Sequence, residues 1–362
     1  MKFRFPLGIR LFGWRTPVLA GSVLTLAGLL SPQDASGATA VSRIFGAVPV
    51  VADGAADTVL SVPLKIPAVF RATVGSVSES TITFSGTPNL TEDQFVYVAG
   101  IQPQTYYLFF ESGDLAGRVF TITGNSTTSV TLAAAAAATA DDAVAIHPYW
   151  TLATLFSSDQ GLASATNAGE RPIEVILPAV ESDGINPAAE AVYYHGDGAW
   201  RRVGAAFDAA FDDTILPPDR PVVVRMNQDE DATLVLTGEV TMSALSLPVR
   251  ARADGPQDNL LSLTRPLDVS LDDSGLAGSG AFETTTDSGQ IKDRVVLYAG
   301  GPGQNRVPTD AYFYLNGGWR KEGDDPATDH GSVVIKAGQG FVIRKAEQAG
   351  DPVEYWVNTF NP

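Results

Sequence analysis

The chain has 362 residues, of which 41 are acidic, 24 are Lys or Arg and none is Cys, so its formal net charge is −17. This acidity repels nucleic acid and anionic lipid surfaces, and neither is an expected partner. The lack of cysteine excludes thiol catalysis, thiolate metal sites and disulfides, which a chain of this size does not need for a stable core.

Residues 1–40 have the pattern of a secretory signal peptide. Four basic residues precede a short apolar run at 17–30, and the segment ends in Ala-Thr-Ala at 38–40. A basic head, an apolar middle and a small-residue end are typical of cleaved export signals, and the apolar run is too short to favour a membrane span. We therefore expect an exported protein in the periplasm, on the cell surface or outside the cell, with no transmembrane segment in the mature chain.

Short segments rich in Val, Ile, Thr and aromatic residues recur along the rest of the chain. Examples are QFVYVAG, RVFTITG, RPVVVRM and DRVVLYAG, and most are bounded by Gly, Pro, Asn or Asp. Such segments are typical of strands. The best candidate for a helix is the alanine run at 133–138, for which a loop is an equal alternative. The mature protein is therefore predicted to be all-β.

Two stretches of the chain resemble each other, VYYHGDGAWRRVG at 192–204 and YFYLNGGWRKEG at 312–323. An offset of 119 relates the Trp-Arg pairs of the two stretches, and it also relates Arg225 to Arg344. Upstream, EVILPA matches RVVLYA at an offset of 120, and ADGAADTVLS matches ADGPQDNLLS at an offset of 201. The difference, 201 − 120 = 81, indicates that the first copy contains about 81 additional residues.

These offsets predict two homologous β-sandwich or barrel-like repeats with a small β domain inserted in the first. Repeat 1 would comprise 41–70 and 147–240, the inserted domain 71–146, and repeat 2 the residues 241–362. The glycine-rich centre of each matched stretch is typical of a hairpin turn, and a large ring beside it is more often part of a core than of a binding site. We interpret four residues as repeat-core or turn markers: Trp200, Arg201, Trp319 and Arg320.

Several motifs resemble those of a known group of proteins. They include DTVLSVPL, PYWTLATLF, NLLSLTRPL and IKAGQGFVIRKA, with the long segment from GTPNLTEDQ to FTITGN. In these motifs the chain resembles a family of exported, Verrucomicrobia-associated bacterial proteins to which no activity is assigned. Its halves are similar to β-repeats of surface-layer-type proteins. The resemblance implies export and a surface or extracellular setting, and it brings no catalytic residues.

The sequence has no catalytic signature. Its three histidines, His147, His195 and His330, are not at metal-ligand spacing, and no G-x-S-x-G motif occurs. The acidic residues are too plentiful to single out a pair for glycoside hydrolysis. We therefore predict a protein that is not an enzyme and has no catalytic residues.

Acidic loops are the only candidates for a metal, and calcium is the ion that they would suit. Hard cations prefer several oxygen ligands from a flexible loop, although none of these loops has the twelve-residue calcium-loop pattern. Solvated acidic turns are the alternative interpretation. No cofactor is expected apart from this possible calcium. The candidate ligands are Asp229, Asp231, Asp324, Asp325 and Asp329.

The segment QTYYLFFESG places aromatic rings on both faces of one predicted strand. One face is expected to fill the core of the inserted domain, and the other either packs on the repeats or forms an exposed row for a sugar. The tentative ligand-binding residues are Tyr106, Tyr107, Phe109 and Phe110.

The leading functional prediction is a structural or adhesive role in a surface layer, envelope or matrix. The expected partners are other envelope or surface proteins, or a second copy of the chain. A glycan-binding module that uses the rings is the alternative, and a hydrolase of an extracellular polymer is the third possibility.

Overall fold

The structure is a computed structural model, and it describes residues 43–179, 182–298, 303–304 and 308–359. The predicted signal peptide, residues 1–40, lies outside these ranges. The described chain is almost entirely strand and loop, which confirms the prediction of an all-β protein. In this part of the chain, no helix is long and apolar enough to cross a membrane.

Within the described ranges, helical structure is confined to short segments. They are the helix α1 (Leu152–Leu155) and two 3-10 turns, Ser158–Gln160 and Leu276–Gly278. Thr151 caps α1, because its hydroxyl accepts a hydrogen bond from the amide of Thr154 at 3.3 Å. The alanine run at 133–138 is a loop in which Ala136 packs on a hydrophobic core.

Two strands, β1 (Phe45–Ala52) and β2 (Asp57–Leu60), precede a closed six-stranded barrel. The barrel strands are β3 (Phe70–Ser78), β4 (Thr81–Phe84), β5 (Tyr106–Phe110), β6 (Val119–Asn125), β7 (Ser129–Leu132) and β8 (Ala143–Pro148). They are antiparallel in the order β3-β4-β7-β6-β5-β8, and pairing of β8 with β3 closes the barrel. Alternate side chains fill its interior, among them Val74, Ile82, Leu108, Phe110, Ile122 and Ile146.

The chain after the barrel completes a first sheet. Its strands are β9 (Trp150–Thr151), β10 (Ile173–Pro178), β11 (Ala189–Gly196), β12 (Ala199–Arg202), β13 (Ile215–Leu216), β14 (Val222–Met226) and β15 (Ala232–Glu239). The five-stranded first sheet has the order β12-β11-β10-β14-β2, so it joins a strand before the barrel to strands after it. β1 pairs with β15 to form the first ribbon, and β9 pairs with β13. Their shared core includes Val175, Trp200, Val224 and Leu234.

The remaining strands form a second sheet. They are β16 (Leu245–Arg250), β17 (Gln257–Leu261), β18 (Val269–Ser270), β19 (Arg294–Leu297), β20 (Asp310–Leu315), β21 (Gly318–Lys321), β22 (Val334–Ile335), β23 (Phe341–Lys345) and β24 (Val353–Asn358). The second sheet has the order β17-β23-β19-β20-β21. β16 pairs with β24 to form the second ribbon, and β18 pairs with β22. The core here includes Leu247, Val295, Trp319 and Trp356.

The two five-stranded sheets have the same strand order and carry the same ion pair at the same place. Arg225 holds Asp57 through two hydrogen bonds of 2.7 and 2.8 Å, and Arg344 holds Asp258 through two of 2.7 and 2.9 Å. The arginines are 119 residues apart and the aspartates 201, the offsets found between the matched sequence segments. Duplication and the proposed domain boundaries remain predictions, with which this agreement is consistent.

The two sheets contact each other through reciprocal hydrogen bonds. The amide of Ser61 donates to the carbonyl of Gly338 at 2.9 Å, and the amide of Ser262 donates to the carbonyl of Asp219 at 3.1 Å. A second reciprocal pair runs from the amides of Asp57 and Asp258 to the carbonyls of Gly303 and Gly184, at 3.2 and 3.0 Å. In both reciprocal pairs, the two donor residues are 201 positions apart in the sequence and the two acceptor residues are 119 positions apart. This reciprocity is typical of an isologous two-fold interface, here within one chain.

Candidate functional site

The aromatic strand β5 exposes none of its rings. Tyr106 and Phe110 belong to the barrel core, whereas Tyr107 and Phe109 leave the barrel and pack with Tyr149. Each of the four proposed ligand-binding rings is at most 9% exposed. The exposed row of rings is therefore not formed, because other parts of the chain cover the outer face of β5, and a sugar cannot stack on these side chains.

The two marker tryptophans lie in the cores of their sheets. Trp200 and Trp319 are each 1% exposed. Each follows a two-residue hairpin turn with left-handed backbone, Asp197-Gly198 (φ 51° and 73°) and Asn316-Gly317 (φ 50° and 84°). Such turns match the twist of the flanking strands. The matched stretches are thus hairpins whose tryptophans are core residues.

The marker arginines fasten nearby turns. Arg201 is buried, and its Nε donates to the carbonyl of Gly196 at 3.0 Å. Arg320 donates through Nη1 to Asp329 at 3.1 Å and to the carbonyl of Trp319 at 3.1 Å. Arg201 is therefore bound to the hairpin turn that precedes it, and Arg320 is bound to the loop that follows β21.

The five aspartates considered for calcium do not converge on one point. Four of them bind nearby groups: Asp231 the amide of Gly54, Asp325 the amide of Ala327, Asp329 the side chain of Arg320, and Asp324 the ring of His330. Asp229 is exposed in the turn that also contains Asp231. Among the residues that the structure describes, no group of three or more His, Asp or Glu is placed to hold a metal ion.

A cavity of about 120 Å³ lies where the barrel meets the second ribbon. Phe109 and Arg118 of the barrel form one wall, and Leu247 of β16 and Tyr355 of β24 form another. Lys65, from the segment between β2 and β3, completes the wall. We call this space the junction cavity.

Lys65 brings a buried amine to the junction cavity. Its backbone pairs with that of Glu239 through bonds of 3.0 and 2.7 Å, which hold the segment against the end of β15. The side chain is only 4% exposed, and Nζ lies 3.5 Å from the centroid of the Phe109 ring, a cation–π contact. Burial lowers the pKa of Lys65 to about 7, although the charge of Glu239 opposes the shift. The carboxylate of Glu239 is itself bound to Arg71 and Arg43.

Arg118 is the second cation of the junction cavity. Its guanidinium carbon lies 3.6 Å from the centroid of the Tyr355 ring, and its Nε is buried without a hydrogen-bond partner in the described structure. Gly117 allows this approach, because a Cβ on it would lie 2.5 Å from the amide nitrogen of Ser246. The amide of Ser246 donates a hydrogen bond to the carbonyl of Gly117 at 3.3 Å. The loop between β5 and β6 is thereby attached to β16.

His147 lies on the outer face of β8, under the rings that border the junction cavity. It is completely buried, its ring stacks on Tyr107 with centroids 5.4 Å apart, and its Nδ1 lies 2.7 Å from the carbonyl of Ile66. Burial, together with the charge of Lys65, lowers the pKa of His147 to about 2. The imidazole is therefore neutral and donates to the carbonyl from Nδ1.

Sequence reasoning did not identify Lys65 or Arg118. The segments PLKIP and LAGRVF around them read as ordinary loop and strand. Both residues become unusual only through contacts with distant parts of the chain, Lys65 with Phe109 and Arg118 with Tyr355. No local motif signals such contacts. Chemically, the site offers two cations and apolar walls, which suit recognition of a negative group.

A second feature of the molecule is an uncharged surface on the first ribbon. Along β1 and β15 the side chains alternate, and one face, which includes Leu234 and Leu236, is buried. The outward residues are Phe45, Ala47, Pro49, Val51, Thr233, Val235 and Thr237. We call them the first-ribbon face. Phe45, Val51 and Val235 are 59%, 48% and 50% exposed, and none of the seven members carries a charge. At the border of the face, Glu239 is opposite Phe45, and its buried carboxylate is bound to Arg43 and Arg71.

The corresponding face of the second ribbon is covered at its centre, at Tyr355, whereas Val353 and Val357 on the same face are 52% and 48% exposed. Pro49 is opposite Val235 in the first ribbon, and Pro248 is opposite Tyr355 in the second. The Tyr355 ring lies under the guanidinium of Arg118 from the barrel, whereas Val235 is half exposed.

Comparisons with protein-family models, with curated proteins and with solved structures find no match to this chain.

Proposed function

We propose that this protein is an exported surface, envelope or matrix component with a structural or adhesive role, which acts through protein contacts rather than catalysis. The observation that carries the proposal is the first-ribbon face, whose outward side chains are exposed, uncharged and largely apolar. Contiguous apolar surface of this kind is typical of protein–protein contact sites. Export rests on the sequence pattern of residues 1–40.

The occupant that we assign to the first-ribbon face is a second copy of the chain. Copies with a net charge of −17 repel each other, and the repulsion is weakest where two uncharged surfaces meet. An isologous contact would set this face against itself. Pro49 lacks an amide hydrogen and interrupts the outer edge of β1, so contact through side chains is favoured over strand addition at that edge.

Sedimentation velocity of residues 41–362 over a range of concentrations tests the proposal. We expect reversible association of the wild-type protein, and loss of association in Val235→Glu, because the substitution places a carboxylate at the centre of the face. Val203→Glu is the matched control, since Val203 is 40% exposed in the turn after β12 and is not part of the face. It should associate like the wild type.

Two outcomes would contradict the proposal. A wild-type protein that stays monomeric at the highest attainable concentration does not use this face for self-association. Equal loss of association in the Val203→Glu and Val235→Glu variants would mean that added charge acts generally, without a defined surface.

The geometry favours contact over the two alternatives. Glycan stacking on Tyr106, Tyr107, Phe109 and Phe110 needs exposed rings, and all four are buried. Hydrolysis needs two carboxyl groups across a cleft. Glu111 and Glu239, which lie close together, are both bound to Arg71 between them.

A further inference from the structure

The junction cavity contains two basic side chains that form no ion pair with any residue that the structure describes. Neither Lys65 Nζ nor the Arg118 guanidinium makes an ion pair or a side-chain hydrogen bond with another described residue, and each lies on an aromatic ring. Acidic residues outnumber Lys and Arg by 41 to 24 in this chain. Arg225, by contrast, is fully engaged by Asp57. An excess of acids makes two unpaired cations at one cavity a feature that needs an explanation.

Most of the remaining wall of the junction cavity is apolar. Its apolar residues include Phe109, Val119, Phe120, Leu245, Leu247 and Pro248. Asp219 is the one acidic residue among the described residues of the wall, and the hydroxyl of Thr264 donates a hydrogen bond to the carbonyl of Pro218 at 3.0 Å. The cavity volume of about 120 Å³ is somewhat below the ~150 Å³ that accommodates benzene, so it suits a ligand of roughly four to six non-hydrogen atoms.

We propose that the junction cavity binds a short aliphatic carboxylate, whose negative group lies between Lys65 and Arg118 and whose hydrocarbon chain contacts the apolar wall. The planar guanidinium of Arg118 matches a carboxylate in shape, and the amine of Lys65 adds a compact point charge. A low-dielectric surrounding strengthens both attractions, and the ligand offsets the cost of burying the two cations. An inorganic anion such as phosphate has no apolar part and would leave the hydrocarbon-lined volume unfilled.

This inference goes beyond the contact role of the first-ribbon face, and it is tested separately. Isothermal titration of residues 41–362 with butyrate, in a buffer without phosphate or carboxylate, should give saturable binding with a Kd in the millimolar range or below. Butyramide, which has nearly the same shape without the charge, should bind at least about tenfold more weakly. Inorganic phosphate should also bind more weakly than butyrate.

Variants identify the cavity as the binding site. Lys65→Met retains the apolar stem of the side chain without the amine, and Arg118→Gln removes the guanidinium; each should weaken butyrate binding at least about tenfold. Lys336→Met is the matched control, because Lys336 is an exposed lysine that is paired with Asp268, and it should bind butyrate like the wild type.

Three results would overturn the proposal. One is the absence of saturable butyrate binding up to about 50 mM, well above a millimolar Kd. The second is butyramide or phosphate binding as tightly as butyrate, which would show that no carboxylate site exists. The third is an equal loss of affinity in Lys336→Met and Lys65→Met. If a variant fails to fold, as judged by circular dichroism, the two ligand comparisons on the wild-type protein still decide the question.

Discussion

The amine of Lys345 lies 2.6 Å from a carboxylate oxygen of Asp293, and both side chains are buried at one end of the second sheet. The corresponding register pair in the first sheet is Ile173 and Met226. Met226 follows Arg225 in β14, and Lys345 follows Arg344 in β23. The two pairs therefore occupy equivalent positions next to the matched arginines. One sheet therefore fills this position with two apolar side chains, and the other fills it with an ion pair.

This difference predicts how the ion pair contributes to stability. Asp293→Ile alone should lower the free energy of unfolding by about 3–5 kcal/mol, because it leaves the amine of Lys345 buried without its main partner. The double variant Asp293→Ile with Lys345→Met copies the first sheet and should return to within about 1 kcal/mol of the wild type, or exceed it. Urea denaturation of the wild type, both single variants and the double variant measures the coupling. Additive losses from the two single substitutions would contradict the prediction.

The same comparison shows what could be predicted from sequence. Asp57 and Asp258, and Arg225 and Arg344, belong to matched segments, so their offsets alone place them in equivalent strands. The alternation of rings in β5 predicts two aromatic faces, but it carries no information about what covers the outer one. That depends on the segment around Lys65, which is distant in sequence from β5.

The junction cavity was beyond sequence reasoning for the same physical reason. Lys65 aligns with Pro266 of the second half at the offset of 201, so the repeat arithmetic does not mark it. Its burial arises from contacts with Phe109 and the end of β15, and a lysine in a loop is ordinarily solvated.

The buried amine of Lys65 predicts a specific pH dependence of stability. Its pKa is about 7 in the folded protein and near 10.5 in the unfolded chain, so the unfolded state binds one more proton between these values. Wild-type stability should therefore rise from pH 7 to pH 10.5 relative to Lys65→Met. Below pH 7, Lys65→Met should be more stable than the wild type by a few kcal/mol, which is the order of free energy expected for a pKa shift of this size.

Denaturation of Lys65→Met and wild type at several pH values, without added carboxylate, checks this prediction. The ionisable groups that face Lys65 or the cavity include Glu239, Arg71, Arg118, Asp219 and the neutral imidazole of His147. The difference between the two stability curves as a function of pH reports the titration of the Lys65 amine. A pH-independent difference would show that Lys65 titrates as an exposed lysine does.

Gly117 should be intolerant of any side chain because of what surrounds it. Its φ is +85°, and a Cβ would meet the backbone of residues 244–246 at 2.5–2.6 Å. Gly86 is a matched control in the same barrel, with φ of +74° and no atom within 4 Å of the position that a Cβ would take. Alanine at either position adds backbone strain of about 1 kcal/mol or more. Only Gly117→Ala should also separate the loop between β5 and β6 from β16. The rate of amide hydrogen exchange at Ser246 should therefore increase in that variant alone. Equal exchange rates at Ser246 in the two variants would argue against the close contact.

His147 should make the folded protein sensitive to acid. Its pKa is about 2 in the folded protein and about 6.5 when unfolded, so the unfolded state binds one more proton between these values. The wild type should then lose roughly 1.4 kcal/mol of stability per pH unit through this residue as the pH falls from 6.5. His147→Asn keeps a donor for the carbonyl of Ile66 but does not titrate. It should be less stable than the wild type at pH 7, because it loses the stacking on Tyr107, and the gap should close as the pH falls towards 4.5. A gap that stays constant over this range would mean that the imidazole is protonated in the folded state at its ordinary pKa, which the complete burial of the ring and the nearby charge of Lys65 both oppose.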